Sequence, residues 1–141
     1  VKPHGALYNK AFYDFKTWET FISCIKKLPY EVTLFSQYKS LLSSLAGENG
    51  IKIYNEVFID REYNDDLSLV SRENKNAITH DLNIINKKVL NIIKNKLITS
   101  INNVVMKVKA DTYCIHGDNP NALVIMKSLI SFLNSHKISL K

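Results

Sequence analysis

"DTYCIHGDNPNALVIMKSLISFLNSHK", Asp111 to Lys137, sets the architecture of this chain. It opens on a short β-prone run, Asp111 to His116. It breaks at His116-Gly117-Asp118 and resumes as an apolar helix pattern, with Pro120 suited to the first turn. A strand that empties through a short polar loop into a helix is the repeating unit of an α/β fold.

The same unit recurs upstream. "VKPHG", Val1 to Gly5, reads as the tail of a buried strand entering a loop. Asn9 is placed to cap a helix over "KAFYDFKTWETFISCIKKL", in which Phe12, Phe15, Trp18, Phe21, Ile22 and Ile25 fall at helical spacing. That aromatic stripe reads as core, and Pro29 ends the helix. "EVTLFS" follows as a strand, "QYKSLLSSLAGEN" as a helix, and "IKIYNEVFI" as a strand that delivers Asp60-Arg61 at its end. Asp81 is placed to cap "HDLNIINKKVLNIIKNKL", where Leu82, Ile85, Val89, Ile92 and Ile93 recur at helical spacing. "ITSINNVVMKVKA" alternates about Asn102-Asn103, which predicts a hairpin or two short strands.

Strands are therefore expected at residues 1–4, 31–35, 51–58 and 112–116, with helices between them. Alternation of this kind builds a parallel sheet covered by helices, and ligands bind at the C-terminal ends of such strands. His4, Glu56, Asp60, Arg61, His116 and Asp118 all fall at or near those ends. Four parallel strands do not close a barrel, so the pattern predicts about half of one, with open edges that imply self-association. No linker, repeat or low-complexity tract divides the chain, and residues 1–141 read as one domain.

Composition narrows the function classes. The net charge of +6 invites a nucleic-acid reading, but the lysines are scattered among asparagines, as in "NIINKKVLNIIKNK", and no basic run interleaves with aromatics. No apolar run approaches transmembrane length and no signal-peptide pattern is present, so no membrane role is expected. The two cysteines, Cys24 and Cys114, stand in apolar surroundings and read as buried free thiols of a reducing, cytoplasmic compartment. Of 19 basic residues only Arg61 and Arg72 are arginine, and they share one segment, "FIDREYNDDLSLVSR". Arginine offers a planar fork to carboxylate or phosphate that lysine cannot copy, and two ordinary ion pairs with nearby acids are the plain alternative. Two of the four glycines, Gly5 and Gly117, directly follow His4 and His116, where a permissive backbone suits a strand end.

Four segments in register carry a family resemblance: "VKPHGALYN", "NEVFIDREY", "LVSR" followed by "AITHD", and "CIHGDNPNA". Together they resemble the LamB/YcsF family, the A subunit of bacterial 5-oxoprolinase. The resemblance covers the whole chain but only the C-terminal part of the family. Members begin with an Asp-Leu-Asn-x-Asp motif and a Gly-Phe-His-x-Gly-Asp motif, and neither occurs here. Two departures stand out. Ile59-Asp60-Arg61 replaces the usual Ala-Asp-Arg, and Leu67 stands where Gly is typical, which predicts a changed loop.

The resemblance implies a β/α barrel of the glycoside hydrolase/deacetylase type. It also implies ATP-dependent opening of the 5-oxoproline lactam to L-glutamate, with Mg2+ accompanying ATP and with partner subunits B and C. A chain lacking the first motifs is expected to be inactive alone. Two other classes fit the residues: a metal-dependent hydrolase or deacetylase-like barrel protein, and a non-catalytic remnant. The four histidines stand at no recognisable metal-ligand spacing, which leaves metal binding open.

Roles follow for particular residues. His4 suits general acid-base chemistry. His116 and Asp118 are candidates for one catalytic pair, with Asp118 orienting the imidazole or, alternatively, capping the last helix. Asp60 is a further catalytic candidate, and its alternative is an internal pair with Arg61. Lys2, two residues from His4, is a phosphate-binding candidate whose plain alternative is a surface lysine; Glu56, Arg61 and Arg72 are substrate- or phosphate-binding candidates, with Arg72 suited to a substrate carboxylate. His80 and His136 read as surface residues.

Overall fold

Thr33–Gln37 (β1) and Lys52–Phe58 (β2) run parallel, with Thr33 opposite Lys52 and Gln37 opposite Glu56, and the helix Leu41–Glu48 (α3) crosses between them. This is the β-α-β unit expected from the sequence, and it makes the fold α/β with a parallel sheet. The computed structural model describes residues 1–139. The other elements are Ala6–Lys10 (α1), Phe15–Lys26 (α2), Leu82–Asn95 (α4), Leu97–Thr99 (β3), Val105–Lys107 (β4), Thr112–Cys114 (β5) and Ala122–Ser135 (α5). The chain forms two compact units: Val1–Val57 with Lys109–Thr112, and Phe58–Val108 with Tyr113–Lys141.

In the first unit, Trp18, Ile22 and Ile25 of α2 pack with Ala11, Leu34, Leu42 and Ala46 into one buried cluster. The long helix expected from residue 10 is broken in two. Asp14 caps α2 by accepting from the Thr17 amide at 2.8 Å, so the helix starts at Phe15 and Asn9 falls inside α1. A cap of this kind contributes about 1 kcal/mol. The break leaves Phe12 outside α2 and Phe15 exposed against Trp18 rather than in the core. Cys24 lies off the buried stripe and is exposed, contrary to expectation, while Cys114 is half-buried. Helix α3 starts only at Leu41, because Ser40 accepts from the Ser43 amide and so ends the extended segment before it.

Residues 1–4 form no regular strand. Val1 does pair with β1, its carbonyl accepting from the Phe35 amide and its amino group donating to the Thr33 carbonyl. Pro3 has no N–H with which to continue a ladder. At the other edge of β2, the Asp111 carboxylate accepts from the Asn55 backbone and side-chain amides, and the Asp111 amide donates back to the Asn55 carbonyl.

In the second unit, Ile85, Val89, Ile125, Leu129 and Leu133 of α4 and α5 bury themselves against Ile59. Asp81 caps α4 as expected, accepting from the Asn83 and Ile84 amides. Strands β3 and β4 form the expected antiparallel hairpin, and Asn103 takes the left-handed conformation of its turn, with φ 65°. The Ile59 amide donates to the Cys114 carbonyl, which fixes the loop after β2 beside β5. Pro120 precedes the first turn of α5 rather than entering it, since Asn121 is the N-cap. Among the described residues, no helix is long and apolar enough to cross a membrane.

Candidate active site

Phe58 ends β2, and Asp60 lies two residues beyond it. Strand periodicity sends both side chains toward one face. There they meet His116, just past β5. The His116 ring stacks on Phe58 with centroids 4.7 Å apart and planes 20° from parallel. Its Nδ1 lies 3.0 Å from Asp60 Oδ1. The Asp60 Oδ2 accepts from the Asn119 side-chain amide at 3.1 Å and from the His116 backbone amide at 3.3 Å. Asp60 is buried and His116 is partly open to solvent.

Burial alone would raise the Asp60 pKa. The hydrogen bonds from His116 and Asn119 and the charge of the imidazole outweigh it, and the carboxyl sits below its ordinary value. An ionised Asp60 accepts the Nδ1 proton and so fixes the ring's tautomer and orientation. That leaves Nε2 outside this hydrogen bond.

A pocket in the second unit is lined by Asp60, Arg61, Arg72, His116, Asp118 and Asn119, with Ile78, His80 and Pro120 completing its wall. Five candidate residues from the sequence thus come together: Asp60, Arg61, Arg72, His116 and Asp118. Their pairings differ from those expected. Asp118 neither orients His116 nor caps α5; its carboxylate lies 3.0 Å from Arg72 Nη1 in an exposed ion pair. The hydrogen bond and charge of Arg72 hold the Asp118 carboxyl below its ordinary pKa. Asp60 pairs with His116 rather than with Arg61. The Arg61 guanidinium is buried and donates to the Ala77 and Val70 carbonyls, so it ties down the following loop instead of offering a free fork. Burial, and then the neighbouring Arg72 charge, lower the Arg61 pKa from its usual value.

The loop after Arg61 is held from below as well. Lys88 of α4 donates to the Arg61 carbonyl and to Glu62 Oε1, and Glu62 also accepts from the Thr79 hydroxyl. Leu67, in the position expected to change the loop, is buried and adopts a φ of 72°. It therefore occupies the left-handed region that glycine enters freely.

The remaining candidates belong to the first unit. Lys2 Nζ lies 2.8 Å from both carboxylate oxygens of the buried Glu56 and also stands over the Tyr8 ring. Each of the two thus has the other as a charge partner. His4 is exposed, and Gly5 beside it takes a φ of 59°. Gly117 lies outside the left-handed region, so the parallel drawn between the two His-Gly steps does not extend to the backbone.

Sequence reasoning missed three participants. Phe58 was legible in principle, because it shares the two-residue period with Asp60. Asn119 carried the weaker signal of a polar residue before Pro120. His80, read as a surface residue, is exposed but lines the pocket. His136 is a surface residue as expected, its Nδ1 2.8 Å from the Phe132 carbonyl. Among the described residues, no group of three or more His, Cys, Asp or Glu is placed to hold a metal ion.

Fold and site together define an α/β protein with a carboxylate–imidazole pair at the ends of its strands. The sequence matches the LamB/YcsF family over residues 1–141, and the chain belongs to that family. It is 37% identical over 139 residues to a 5-oxoprolinase A subunit of Campylobacter jejuni subsp. doylei, covering 99% of this chain and 54% of that protein. It is 38% identical over 141 residues to a 5-oxoprolinase A subunit of Acinetobacter baumannii, covering 100% of this chain and 56% of that protein. Among solved structures it resembles a lactam utilization protein from Thermus thermophilus. The TM-score is 0.88 at 25% identity, covering 100% of this chain and 56% of that one. The chain spans about half the length of the curated relatives it matches.

Proposed function

We propose that this chain contributes to a 5-oxoprolinase A subunit, which opens the lactam of 5-oxoproline to L-glutamate together with partner subunits B and C in the cytoplasm. The observation that carries the reading is the His116 imidazole, held through Nδ1 by the buried Asp60 in a pocket that also contains two arginines. Family membership and the names of the relatives support the substrate.

Hydrolysis of a lactam adds water at the carbonyl carbon and breaks the ring C–N bond. The attacking water must lose a proton and the departing nitrogen must gain one. A histidine oriented through one nitrogen can do both with the other, a contribution of roughly 10²–10⁴ in rate. Here Asp60 orients, Phe58 supports the ring face, and His116 carries the proton. In this reading ATP, with Mg2+, activates the poorly electrophilic lactam carbonyl. In the pocket of the second unit Arg61 is engaged with backbone carbonyls, and Arg72, in an exposed ion pair with Asp118, is the arginine an incoming anion would reach.

We also read the chain as part of a β/α barrel of the glycoside hydrolase/deacetylase type, which the parallel β-α-β unit and the likeness to the lactam utilization protein support. Self-association belongs to the same reading, and the exposed Leu123, Met126 and Ile130 along α5 favour it.

The test is an assay of glutamate release from 5-oxoproline with ATP, Mg2+, subunits B and C and an A subunit of the relatives' full length that contains this chain, each omitted in turn, and with the 141-residue chain in the A subunit's place, which is expected to be inactive. The reading expects release that needs every component. Release that persists at the same rate without this chain contradicts it.

A further inference from the structure

We propose that the Arg72–Asp118 ion pair is a carboxylate-binding site filled by the protein's own carboxylate, which a ligand carboxylate displaces. For the identity of the ligand alone, this rests on the lactam reading above.

Arg61 and Arg72 are the two arginines of the chain, and they have divided the work. Arg61 is buried and spends its donors on the Ala77 and Val70 carbonyls. Arg72 stands half exposed in the same pocket as His116, with a 3.0 Å contact from Nη1 to Asp118 Oδ2. A guanidinium accommodates a carboxylate through two parallel N–H···O bonds, so an incoming carboxylate free to align gains a second bond at this fork.

The existing pair is easily opened. The Arg72 and Asp118 side chains are 53% and 66% exposed. An ion pair this open to water shifts an equilibrium by about fivefold at most. The buried Arg61 adds positive charge beside Arg72, and the two guanidiniums feel one another. An anion entering the pocket is therefore drawn to Arg72, and Asp118 is the anion it must replace. Asp118 lies two residues from His116 on the loop leaving β5.

The substrate chemistry matches this arrangement. In 5-oxoproline the carboxylate is borne on the carbon next to the ring nitrogen. Anchoring that carboxylate on Arg72 holds the lactam nitrogen within the pocket that His116 lines. Asp118 then acts as a built-in competitor, which disfavours weakly bound anions and yields to a ligand that also fills the pocket.

The experiment titrates the 141-residue chain by NMR, following the Arg72 Nε–H and the His116 ring. The probes are acetate, L-5-oxoproline, L-5-oxoproline amide and inorganic phosphate, against wild type, Asp118→Asn, Arg72→Lys and Arg72→Gln. Acetate and 5-oxoproline are expected to bind and the amide to fail. Asp118→Asn should tighten carboxylate binding about twofold to fivefold. Arg72→Lys should weaken it and Arg72→Gln abolish it. An Asp118→Asn protein that binds carboxylates no better than wild type overturns the proposal. So does an amide that binds as well as the acid, or phosphate that outcompetes both carboxylates. If acetate behaves as expected and 5-oxoproline binds no better than acetate, the exchange stands and the lactam reading falls.

Discussion

Asp60 Oδ1 and His116 Nδ1 lie 3.0 Å apart although 56 residues separate them in sequence. One follows β2 and the other follows β5, so the backbone pairing of Ile59 with Cys114 brings them to the same place. The second Asp60 oxygen is held by Asn119, which leaves the carboxylate little freedom to turn away. The arrangement fixes the imidazole through hydrogen bonds to the buried Asp60, and its supports can be tested one at a time.

Asp60 makes the pair sensitive to acid. Its folded-state pKa is depressed, since the His116 and Asn119 hydrogen bonds and the imidazole charge overcome burial. A depressed carboxyl contributes stability that is present above the unfolded value of about 3.9 and is lost as pH falls through the lower folded value. Asp60→Asn removes this contribution. The stability gap between wild type and Asp60→Asn should therefore be full at about pH 6 and shrink as pH is lowered from about 4 to about 2, as urea melts at each pH will show. A gap that stays constant across that range would mean that Asp60 does not ionise differently on folding.

The two His-Gly steps should respond oppositely to alanine. Gly5 has φ 59° and ψ −136°, a region that residues with a Cβ enter only with strain. Gly5→Ala should cost about 1–3 kcal/mol. Gly117 lies outside the left-handed region, and a Cβ added there meets nothing within 4 Å. Gly117→Ala should be neutral or stabilise by up to about 1 kcal/mol by restricting the unfolded chain. Thermal melts of the two variants check the contrast.

Leu67 poses a choice between backbone and core. Its φ of 72° costs roughly 1–2 kcal/mol for a residue with a Cβ, while its buried side chain would cost about 2–5 kcal/mol to remove. The lost burial should outweigh the relieved strain. Leu67→Gly is expected to destabilise by about 1–3 kcal/mol, measured by denaturant titration. A stabilised variant would show that the strain dominates.

Lys2 and Glu56 should behave as one unit. Lys2→Met strands a buried carboxylate that now has an ammonium 2.8 Å away. Breaking such a pair costs about 3 kcal/mol when fully buried, and somewhat less here because Lys2 is partly exposed. Adding Glu56→Gln to Lys2→Met should recover part of the loss. A double-mutant cycle in urea reads the coupling directly, and additive losses would mean that the pair is not coupled.

The sequence carried the order of elements because it rests on local signals. Asp81 capped α4, Asn102-Asn103 marked a hairpin, and Ile125, Leu129 and Leu133 formed the buried face of α5. The candidate set was legible too, since strand ends attract functional residues and arginine is rare in this chain. Partner choice was not. Asp118 is two residues from His116 in sequence yet pairs with Arg72, and Asp60 is adjacent to Arg61 yet pairs with His116. Such pairings depend on where Ala77, Val70 and Asn119 place their groups, and no periodicity encodes that. The split between α1 and α2 was missed for a local reason. Asp14 satisfies the Thr17 amide within a run whose apolar spacing reads as continuous.

The decisive measurement is the rate of glutamate release from 5-oxoproline in the complete assay, with ATP, Mg2+ and partner subunits, for an A subunit of the relatives' full length that contains this chain, as wild type, His116→Gln and Asp60→Asn. His116→Gln removes the proton carrier and keeps a hydrogen-bonding side chain of similar reach. It should lower kcat about 100-fold or more, with little change in KM. Asp60→Asn should lower kcat by a smaller factor and alter its pH profile, because the orienting charge is lost while His116 remains. A His116→Gln enzyme that releases glutamate at the wild-type rate would contradict the assignment of His116 as the group that moves the proton.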